Sequence, residues 1–304
     1  MIWIDTDMGL DDILAVMIIA GHRDISGISL VFGNAPLEQV RKNAAGACSL
    51  LGWRTPIHTG AANAILGETI TPAHVLGPTG IKTRGARLPE CPPVPESPAQ
   101  AALCTWLESL DAPGEILALG PLTNLAILAL SRPDLLTKIA KITWMGGGAG
   151  RGNQTASAEF NAFADPEAVQ IVVNSRVPLD IVDLELCRQV LIGPDDLLAL
   201  EASGTEKGLV LADLCGAYVD IALERGREKM AVYDPCAAAA LVIPEAFTFA
   251  PGFVAVELAG THTRGRTVLD QRPGVPPNCR WAMHADAPRV LSLTLETLQK
   301  AALS

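Results

Sequence analysis

Basic side chains are scarce in this sequence. Its 304 residues include 23 Lys and Arg against 33 Asp and Glu, which gives a formal net charge of -10 at pH 7. Nucleic acids and anionic membrane surfaces attract proteins that carry clustered Lys and Arg. The charge balance therefore argues against either of them as the main partner.

Long apolar runs are also absent. No stretch approaches the roughly 18 consecutive apolar residues of a membrane-spanning helix. The N-terminus has neither a basic segment nor a small-residue cleavage site, and its first aspartate is already Asp5. We therefore expect neither a membrane span nor a signal peptide.

The seven cysteines contain no C-x-x-C pair. Their number is odd, and they are scattered along the chain at Cys48, Cys91, Cys104, Cys187, Cys215, Cys236 and Cys279. Disulfide frameworks and zinc sites use paired or closely spaced cysteines. We expect reduced thiols in a protein core, and hence a cytoplasmic protein.

Short apolar runs alternate with helical patterns along the chain. The predicted strands, most of them continuously apolar, cover residues 1–4, 28–32, 115–119, 139–145 and 178–182. The predicted helices cover residues 13–20, 37–51, 99–110, 122–131, 166–174 and 206–228. This alternation predicts an α/β fold, an open and mostly parallel sheet with helices on both faces. In such sheets ligands bind beyond the carboxyl ends of the strands, where several polar loops are predicted to meet.

No linker or internal repeat divides the chain, so residues 1–304 are interpreted as a single domain. The stretch 61–98 is rich in Pro, Gly and Thr and lacks clear periodicity. Loops of this length in compact domains are usually functional or mobile. We interpret this one as an active-site lid.

Four aspartates crowd the first twelve residues. Asp5, Asp7, Asp11 and Asp12 flank Gly9 in the run I-D-T-D-M-G-L-D-D. Carboxylates this close raise one another's pKa unless a positive charge lies among them, and calcium and magnesium choose such oxygens. The cluster predicts a divalent metal site. Capping of the next helix explains one or two carboxylates but not four.

Other acidic or phosphate-binding loops fit this run less well. An EF-hand loop that starts at Asp5 places Leu10 where glycine is needed and Val16 where glutamate is needed. A phosphate-binding glycine loop is excluded because the run has one glycine, and its four negative charges would repel a phosphate. A phosphohydrolase with an Asp nucleophile stays open, although no basic residue near the run is placed to clamp a phosphate.

The run D-T-D-M-G-L-D-D resembles the D-x-D-P-G-x-D-D signature of the nucleoside hydrolases, which cleave the N-glycosidic bond of ribonucleosides. Further motifs follow in that family's order over nearly the whole chain. They are Gly33-Asn34, Gly120-Pro121-Leu122-Thr123-Asn124, Met145-Gly146-Gly147-Gly148, Asn153, Glu159-Phe160-Asn161, Asp165-Pro166, Asp234-Pro235 and Pro276-Pro277-Asn278. Each motif alone is explained as a turn, loop or helix cap, and their joint order carries the resemblance.

The resemblance implies a Rossmann-like fold and a calcium-dependent enzyme that hydrolyses ribonucleosides to free base and ribose. It implies a homo-oligomer, a dimer or tetramer, that serves nucleoside catabolism and purine salvage. Calcium would be held by Asp7, Asp12, Asp234 and the backbone carbonyl of Thr123, and Asp7 would deprotonate a calcium-bound water. The substrate-binding residues would be Asp11, Asn161 and Asp234 at the ribose 2′- and 3′-hydroxyls, Asn34 nearby, Asn153 and Glu159 at the 5′-hydroxyl, and Met145 against the sugar.

The sequence departs from the family pattern at three positions. Met8 stands where proline is common. Tyr233, the second catalytic candidate, stands where relatives carry a His that protonates the leaving base or a Trp that stacks on a purine; a phenol can do either. In the predicted lid, His74-Val75-Leu76-Gly77 resembles H-V-H-G, with Leu76 in place of the second His. These losses favour a purine-leaning enzyme activated by stacking, or an altered substrate, and Trp106 and Trp281 are further candidate aromatics.

Two alternatives to the hydrolase stay open at this point. A metal-dependent phosphohydrolase with an Asp nucleophile would act on phosphate esters and prefer magnesium. A non-catalytic ribose- or nucleoside-binding protein would bind ribose tightly and release no free base.

Overall fold

The computed structural model describes all 304 residues and contains eleven β-strands and twelve α-helices. The strands are β1 Ile2–Thr6, β2 Ile25–Leu30, β3 Ile57–Thr59, β4 Gly114–Ala118, β5 Ile139–Met145, β6 Leu179–Val182, β7 Leu191–Ile192, β8 Met230–Ala231, β9 Phe247–Val256, β10 Thr267–Asp270 and β11 Cys279–Ala285. The helices are α1 Leu10–Ala20, α2 Leu37–Leu51, α3 Ala73–Leu76, α4 Ala99–Ser109, α5 Thr123–Ser131, α6 Phe160–Ala164, α7 Pro166–Asn174, α8 Leu184–Cys187, α9 Leu198–Glu201, α10 Glu206–Leu223, α11 Asp234–Val242 and α12 Ala287–Leu303.

Nine of the strands form one central sheet in the order β10-β9-β11-β6-β5-β4-β1-β2-β3. From β11 to β3 every neighbouring pair is parallel. Only β9 runs antiparallel, to β10 and β11. The predicted open, mostly parallel sheet is confirmed, and the two short strands β7 and β8 pair separately.

Hydrophobic cores lie on both faces of the sheet. Successive residues of a strand point to opposite faces. Ile2 and Ile4 of β1 belong to a core shared with α1, α2, α10, α11 and α12, whereas Trp3 belongs to a second core shared with α4, α5 and α7. Burial on both faces explains why β1 reads as a continuous apolar run, and it confirms the helices predicted on both sides.

The predicted bounds of α2, β5 and α7 are confirmed, and α10 is shorter than predicted. It ends at Leu223 instead of at residue 228. Gly226 has a φ of 70°, and the amide N–H of Arg227 bonds back to the carbonyl of Ala222 at 3.0 Å. A glycine in the left-handed region with such a return bond terminates a helix, which the continuous helical pattern of the sequence does not reveal.

The stretch 61–98 is mostly loop around the short helix α3. The amide N–H groups of Arg84 and Ala86 in this stretch donate to the carboxylate of Asp213 on α10, at 2.9 and 3.1 Å. Its opening and closing as a lid, and the single-domain interpretation of residues 1–304, stay predictions. All seven cysteines are free. No helix combines the length and the apolar character that a membrane crossing needs.

Candidate active site

The polar loops meet at the carboxyl edge of the parallel strands. In the sheet order β5-β4-β1-β2, the residues that follow these four strands are 146–153, 119–122, 7–9 and 31–34. A Cβ placed on Gly33 or on Gly120 would lie 1.9 or 3.4 Å from the nearest atom of the Asp7 side chain. The loops after β2 and β4 therefore close directly around Asp7, at the position where open α/β sheets bind ligands.

The loop after β1 is folded around the carboxylate of Asp12. One Asp12 oxygen accepts the amide N–H of Gly9 at 2.9 Å, and the other accepts the amide N–H of Asp7 at 3.2 Å and the Thr6 hydroxyl at 2.5 Å. The Asp12 carboxylate thus accepts backbone N–H groups at the start of α1, so helix capping does account for one of the aspartates. Met8 has a φ of 47°. Proline cannot adopt that angle, so this loop differs locally from one built on the family's proline.

Asp7 is fixed by Asn34. The amide N–H of Asn34 donates to Asp7 Oδ2 at 2.5 Å, and its side-chain Nδ2 donates to Asp7 Oδ1 at 3.1 Å. The same Nδ2 donates to Asp12 Oδ2 at 3.2 Å. Asn34 therefore holds two carboxylates of the site in a fixed relation to each other.

Three aspartates come close enough to share a cation. Carboxylate oxygens of Asp11, Asp12 and Asp234 lie within 4.8 Å of one another. Asn34 Nδ2 donates to both Asp7 and Asp12, which keeps the carboxylate of Asp7 next to this group. Asp234 is the first residue of α11, so two helix starts and the β1 loop supply the four groups.

The electrostatics of this cluster are unbalanced. Burial, together with the charge of Asp12, raises the pKa of Asp11 to about 7 and raises the pKa values of Asp7 and Asp234 well above their usual range. No Lys, Arg or His contacts these carboxylates in the structure. A divalent cation with a preference for hard oxygen ligands fits this donor set and would favour the ionised forms.

Asp5 does not belong to this cluster, so the sequence interpretation of four clustered aspartates was wrong for this residue. Asp5 lies within β1 and accepts hydrogen bonds from the Ser29 hydroxyl and from Asn124 Nδ2, the latter at 2.7 Å. Its side chain points to the same face as Trp3, because residues two apart in a strand share a face. Burial raises its pKa to about 7, and its Oδ2 atom has no partner.

The loops after β4 and β5 are tied together by Glu159 and Asn161. Glu159 accepts the amide N–H groups of Asn161, Ala162 and Gly147 at 2.7 to 2.9 Å, and burial raises its pKa to about 7. Asn161 Nδ2 donates to the carbonyls of Leu119 and Met145 at 2.8 and 3.0 Å. These bonds hold both side chains at the edge of the sheet.

Nine of the predicted site residues line one cavity of about 120 Å³: Asp7, Asp11, Asn34, Met145, Asn153, Glu159, Asn161, Tyr233 and Asp234. Two do not line it. Asp12 lies behind Asp7 and Asp234, and Thr123 begins α5 with its hydroxyl donating to Asp165 Oδ2 at 2.7 Å. The ligand role of the Thr123 carbonyl stays a prediction.

The wall of this cavity also includes residues that the sequence interpretation missed, and one of them, Tyr218, places its hydroxyl 3.4 Å from Asp11 Oδ2. Tyr218, Ile221 and Arg225 lie at the end of α10 and in the turn after it, and Pro72 and Met230 complete the wall. The Tyr218 hydroxyl donates to the Ala231 carbonyl at 3.0 Å. Spacings of three and four residues place side chains on one helix face, so the pattern itself was a usable signal.

A second cavity, of about 1040 Å³, is larger than this one and distinct from it. It lies between α2, the stretch 73–91 and α10, and it contains none of the clustered aspartates. His74 is exposed and lines only this larger cavity. Trp106 packs on Trp3 with ring centroids 5.4 Å apart, and Trp281 is buried in the same core, so neither is a site aromatic.

Comparisons with known proteins cover almost the whole chain. The sequence profile of the family described as inosine-uridine preferring nucleoside hydrolase matches residues 2–292. The chain is 35% identical over 287 residues to the non-specific ribonucleoside hydrolase RihC of Salmonella newport, covering 93% of this chain and 92% of that protein.

Solved structures of similar proteins share the fold over almost their full length. A purine-preferring ribonucleoside hydrolase from Gardnerella vaginalis has a TM-score of 0.91 at 26% identity, covering 99% of both chains. The plant nucleoside hydrolase PpNRh1 has a TM-score of 0.89 at 27% identity, covering 98% of both chains.

Proposed function

We propose, from the premise that this chain belongs to the inosine-uridine preferring nucleoside hydrolase family, that Asp7 and a calcium site on the neighbouring aspartates carry its reaction. The chain is a ribonucleoside hydrolase, an enzyme that breaks the bond between ribose and base. The observation that supports the finer proposal is the single cavity lined by nine of the side chains for which the resemblance implies a role.

The acidic end of the cavity suits ribose. Breaking the N-glycosidic bond develops positive charge on the sugar, which nearby carboxylates stabilise. We assign the 2′- and 3′-hydroxyls to Asp11, Asp234 and Asn161. Hydroxyl-binding groups also let the enzyme hold the ribose in a strained form closer to the transition state.

The 5′-hydroxyl is assigned to Asn153 and Glu159. Asn153 Oδ1 accepts the amide N–H of Phe160 at 2.9 Å, so both side chains are anchored to the start of α6. Met145, the last residue of β5, supplies an apolar contact for the sugar.

Asp7 is proposed as the base that removes a proton from the attacking water. Asn34 orients its two oxygens, and Gly33 leaves room for them. We assign the cation to Asp12, Asp234 and Asp7 with the Thr123 carbonyl, and the proximity of Asp11 to the first two adds a further oxygen. When bound, a divalent cation would compensate the carboxylate charge and make the attacking water more acidic.

Tyr233 lines the cavity and directly precedes Asp234 in the sequence. Its ring offers a stacking face, and its hydroxyl offers a donor. A purine is the base that gains most from such a face, so we propose a purine-leaning substrate preference.

A panel of nucleosides tests the proposal directly. Inosine, guanosine, adenosine, uridine and cytidine are incubated with the protein with and without a chelator, and release of reducing sugar is measured. We expect free base and ribose in equal amounts, and loss of the activity with chelator. Ribose binding without base release would instead support the non-catalytic binding protein, and hydrolysis of phosphate esters would support the phosphohydrolase.

Gly33→Ala is expected to lower kcat/KM for the preferred nucleoside by about 10²-fold, because the new Cβ displaces Asp7 and a misplacement near 1 Å has that effect. The added atom would lie 1.9 Å from Asp7 Oδ2. Steady-state rates and a thermal melt are measured together. Gly21→Ala is the matched control, since its Cβ would meet only ordinary contacts, the nearest at 3.5 Å. Equal rates for the two variants would contradict the placement of Asp7.

A further inference from the structure

The charges that line the active-site cavity are distributed unevenly. Four carboxylates line it, on Asp7, Asp11, Glu159 and Asp234, whereas Arg225 is the only Lys, Arg or His in its wall. A lone cation in a cavity that is otherwise acidic calls for a physical reason, in a protein with a net charge of -10.

The side chain of Arg225 is not engaged by the protein. It makes no hydrogen bond and no ion pair, and only its amide N–H is bonded, to the Ala222 carbonyl at 3.0 Å. Two nearby cations are paired instead, Arg84 with Asp220 at 2.7 Å and Lys82 with Glu224 at 2.5 Å. The five donors of the Arg225 guanidinium are therefore free for a ligand.

Arg225 is exposed and lines both cavities. It shares with Val75, Leu76 and Ile221 the wall that separates this cavity from the larger one. Three apolar side chains and one planar cation are suited to a flat heterocycle with polar edges. Because Asp11, Asn161 and Asp234 are assigned to the ribose, the nucleobase extends toward this wall.

The leaving base needs a positive group, and the cavity offers few. No histidine lines it. The Tyr218 hydroxyl already donates to the Ala231 carbonyl. We propose that Arg225 binds the nucleobase and stabilises the negative charge that the base acquires as it departs, an assignment that rests on the proposed ribohydrolase function.

The step balances without a proton from Arg225, whose guanidinium stays protonated at all relevant pH values. The bond between C1′ and the base nitrogen breaks, and its electron pair goes to the base. A water adds its hydroxyl to C1′, and its remaining proton goes to the Asp7 carboxylate. The base leaves as an anion beside the guanidinium and takes its own proton from solvent water, which returns the balance to neutral base and ribose once Asp7 releases its proton.

Arg225 also predicts which bases the enzyme prefers. A guanidinium only donates, so it matches a carbonyl oxygen and a bare ring nitrogen on a base edge and mismatches an amino group. Among purines, a base with an oxo group at this edge, such as hypoxanthine, is therefore favoured over adenine. One matched pair of this kind discriminates by about tenfold or more.

Arg225→Gln tests the inference through two ratios. With inosine, kcat/KM is expected to fall about 10²-fold, the usual loss for one donor to a developing anion. With para-nitrophenyl β-D-ribofuranoside, whose leaving group departs readily without help, the loss is expected to be at least about tenfold smaller. The inosine-to-adenosine ratio of kcat/KM is expected to fall toward one, because glutamine both donates and accepts. Arg225→Lys retains the charge but not the planar guanidinium, so its kcat/KM with inosine should lie between those of the unaltered protein and Arg225→Gln.

Arg87→Gln is the matched control, because Arg87 is exposed and lines only the larger cavity. This control should leave unchanged both the ratio of kcat/KM between inosine and para-nitrophenyl β-D-ribofuranoside and the ratio between inosine and adenosine. The assignment would be overturned if Arg225→Gln lost equal activity on the two substrates, if it raised KM without lowering kcat, or if its kinetics were normal. It would also be overturned if Tyr233→Phe, and not Arg225→Gln, lost activity. If the unaltered protein releases no base from any nucleoside, the proposed function itself fails, and that outcome is distinct from all of these.

Discussion

An Asp7→Asn variant is expected to lose about 10⁴-fold in kcat/KM for its preferred nucleoside, the upper range for removing a general base. Asparagine keeps the shape of the side chain and can still accept the amide N–H that Asn34 donates to Oδ2. It cannot take a proton from water, and it no longer contributes negative charge near the sugar. The measurement is the steady-state rate of reducing-sugar release, with a thermal melt to show that the variant is folded.

Asp5→Asn is the matched control for this variant. Asp5 comes from the same run and is fully buried, yet it does not line the cavity. The hydrogen bonds that it accepts from Ser29 and Asn124 hold β1 against its neighbours. We therefore expect Asp5→Asn to lower the free energy of unfolding by about 1–3 kcal/mol and to leave the rate of sugar release almost unchanged. Near-normal turnover by Asp7→Asn would remove Asp7 from the role of base.

Removing the metal is expected to abolish turnover and to lower thermal stability as well. Buried carboxylates of Asp7, Asp11 and Asp234 face one another without a basic partner, which raises their pKa values. A cation that binds only the folded state, added at 100 times its Kd, stabilises by about 2.7 kcal/mol. For a chain of this size we expect Tm to rise by roughly 4 °C on adding calcium to the chelated protein.

Asp12→Asn separates metal binding from general ionic effects. Carboxylate oxygens of Asp12 and Asp234 lie within 4.8 Å of each other, and Asn34 bridges Asp12 to Asp7, so the loss of Asp12 should remove the calcium-dependent part of the Tm shift. Calcium accepts six to eight oxygens in flexible arrangements, whereas magnesium requires a near-octahedral set and releases water reluctantly. We therefore expect magnesium to restore less of the Tm and less of the activity. A chelated protein with unchanged Tm and unchanged turnover would contradict a metal-dependent reaction.

The sheet could be predicted from the sequence because its strands are buried on both faces. β5 and its neighbours read as apolar runs separated by helical patterns, and the right-handed crossovers of such units bring the loops to one edge. The strands β9 to β11, of which β9 is antiparallel to the rest of the sheet, were not predicted. β9 contains Pro251 and Gly252, two residues that weaken a strand pattern and are tolerated here near the edge of the sheet.

The candidate site was predictable where its residues come from short motifs. Asp7, Asp11 and Asp12 sit in one run, and the helix start at Asp234 is marked by its proline. The separation of Asp5 from the others was not anticipated, because it depends on where β1 ends: residues 5 and 7 are two apart, but only the first lies within the strand.

The base end of the cavity was missed for a different reason. Tyr218, Ile221 and Arg225 reach the site only because α10 packs beside α1, which local sequence does not encode. A shared helix face could be read from their spacing, but its direction toward the aspartates is a property of the tertiary fold.

Calcium titration of the chelated protein by calorimetry is the most direct test of a cation held among the aspartates. The account predicts one ion per chain for the unaltered protein and at least a hundredfold weaker binding for Asp234→Asn, since that variant loses a direct ligand, whereas even indirect partners contribute about 10–100-fold. Absence of calcium binding, or equal affinity in the two proteins, would contradict it.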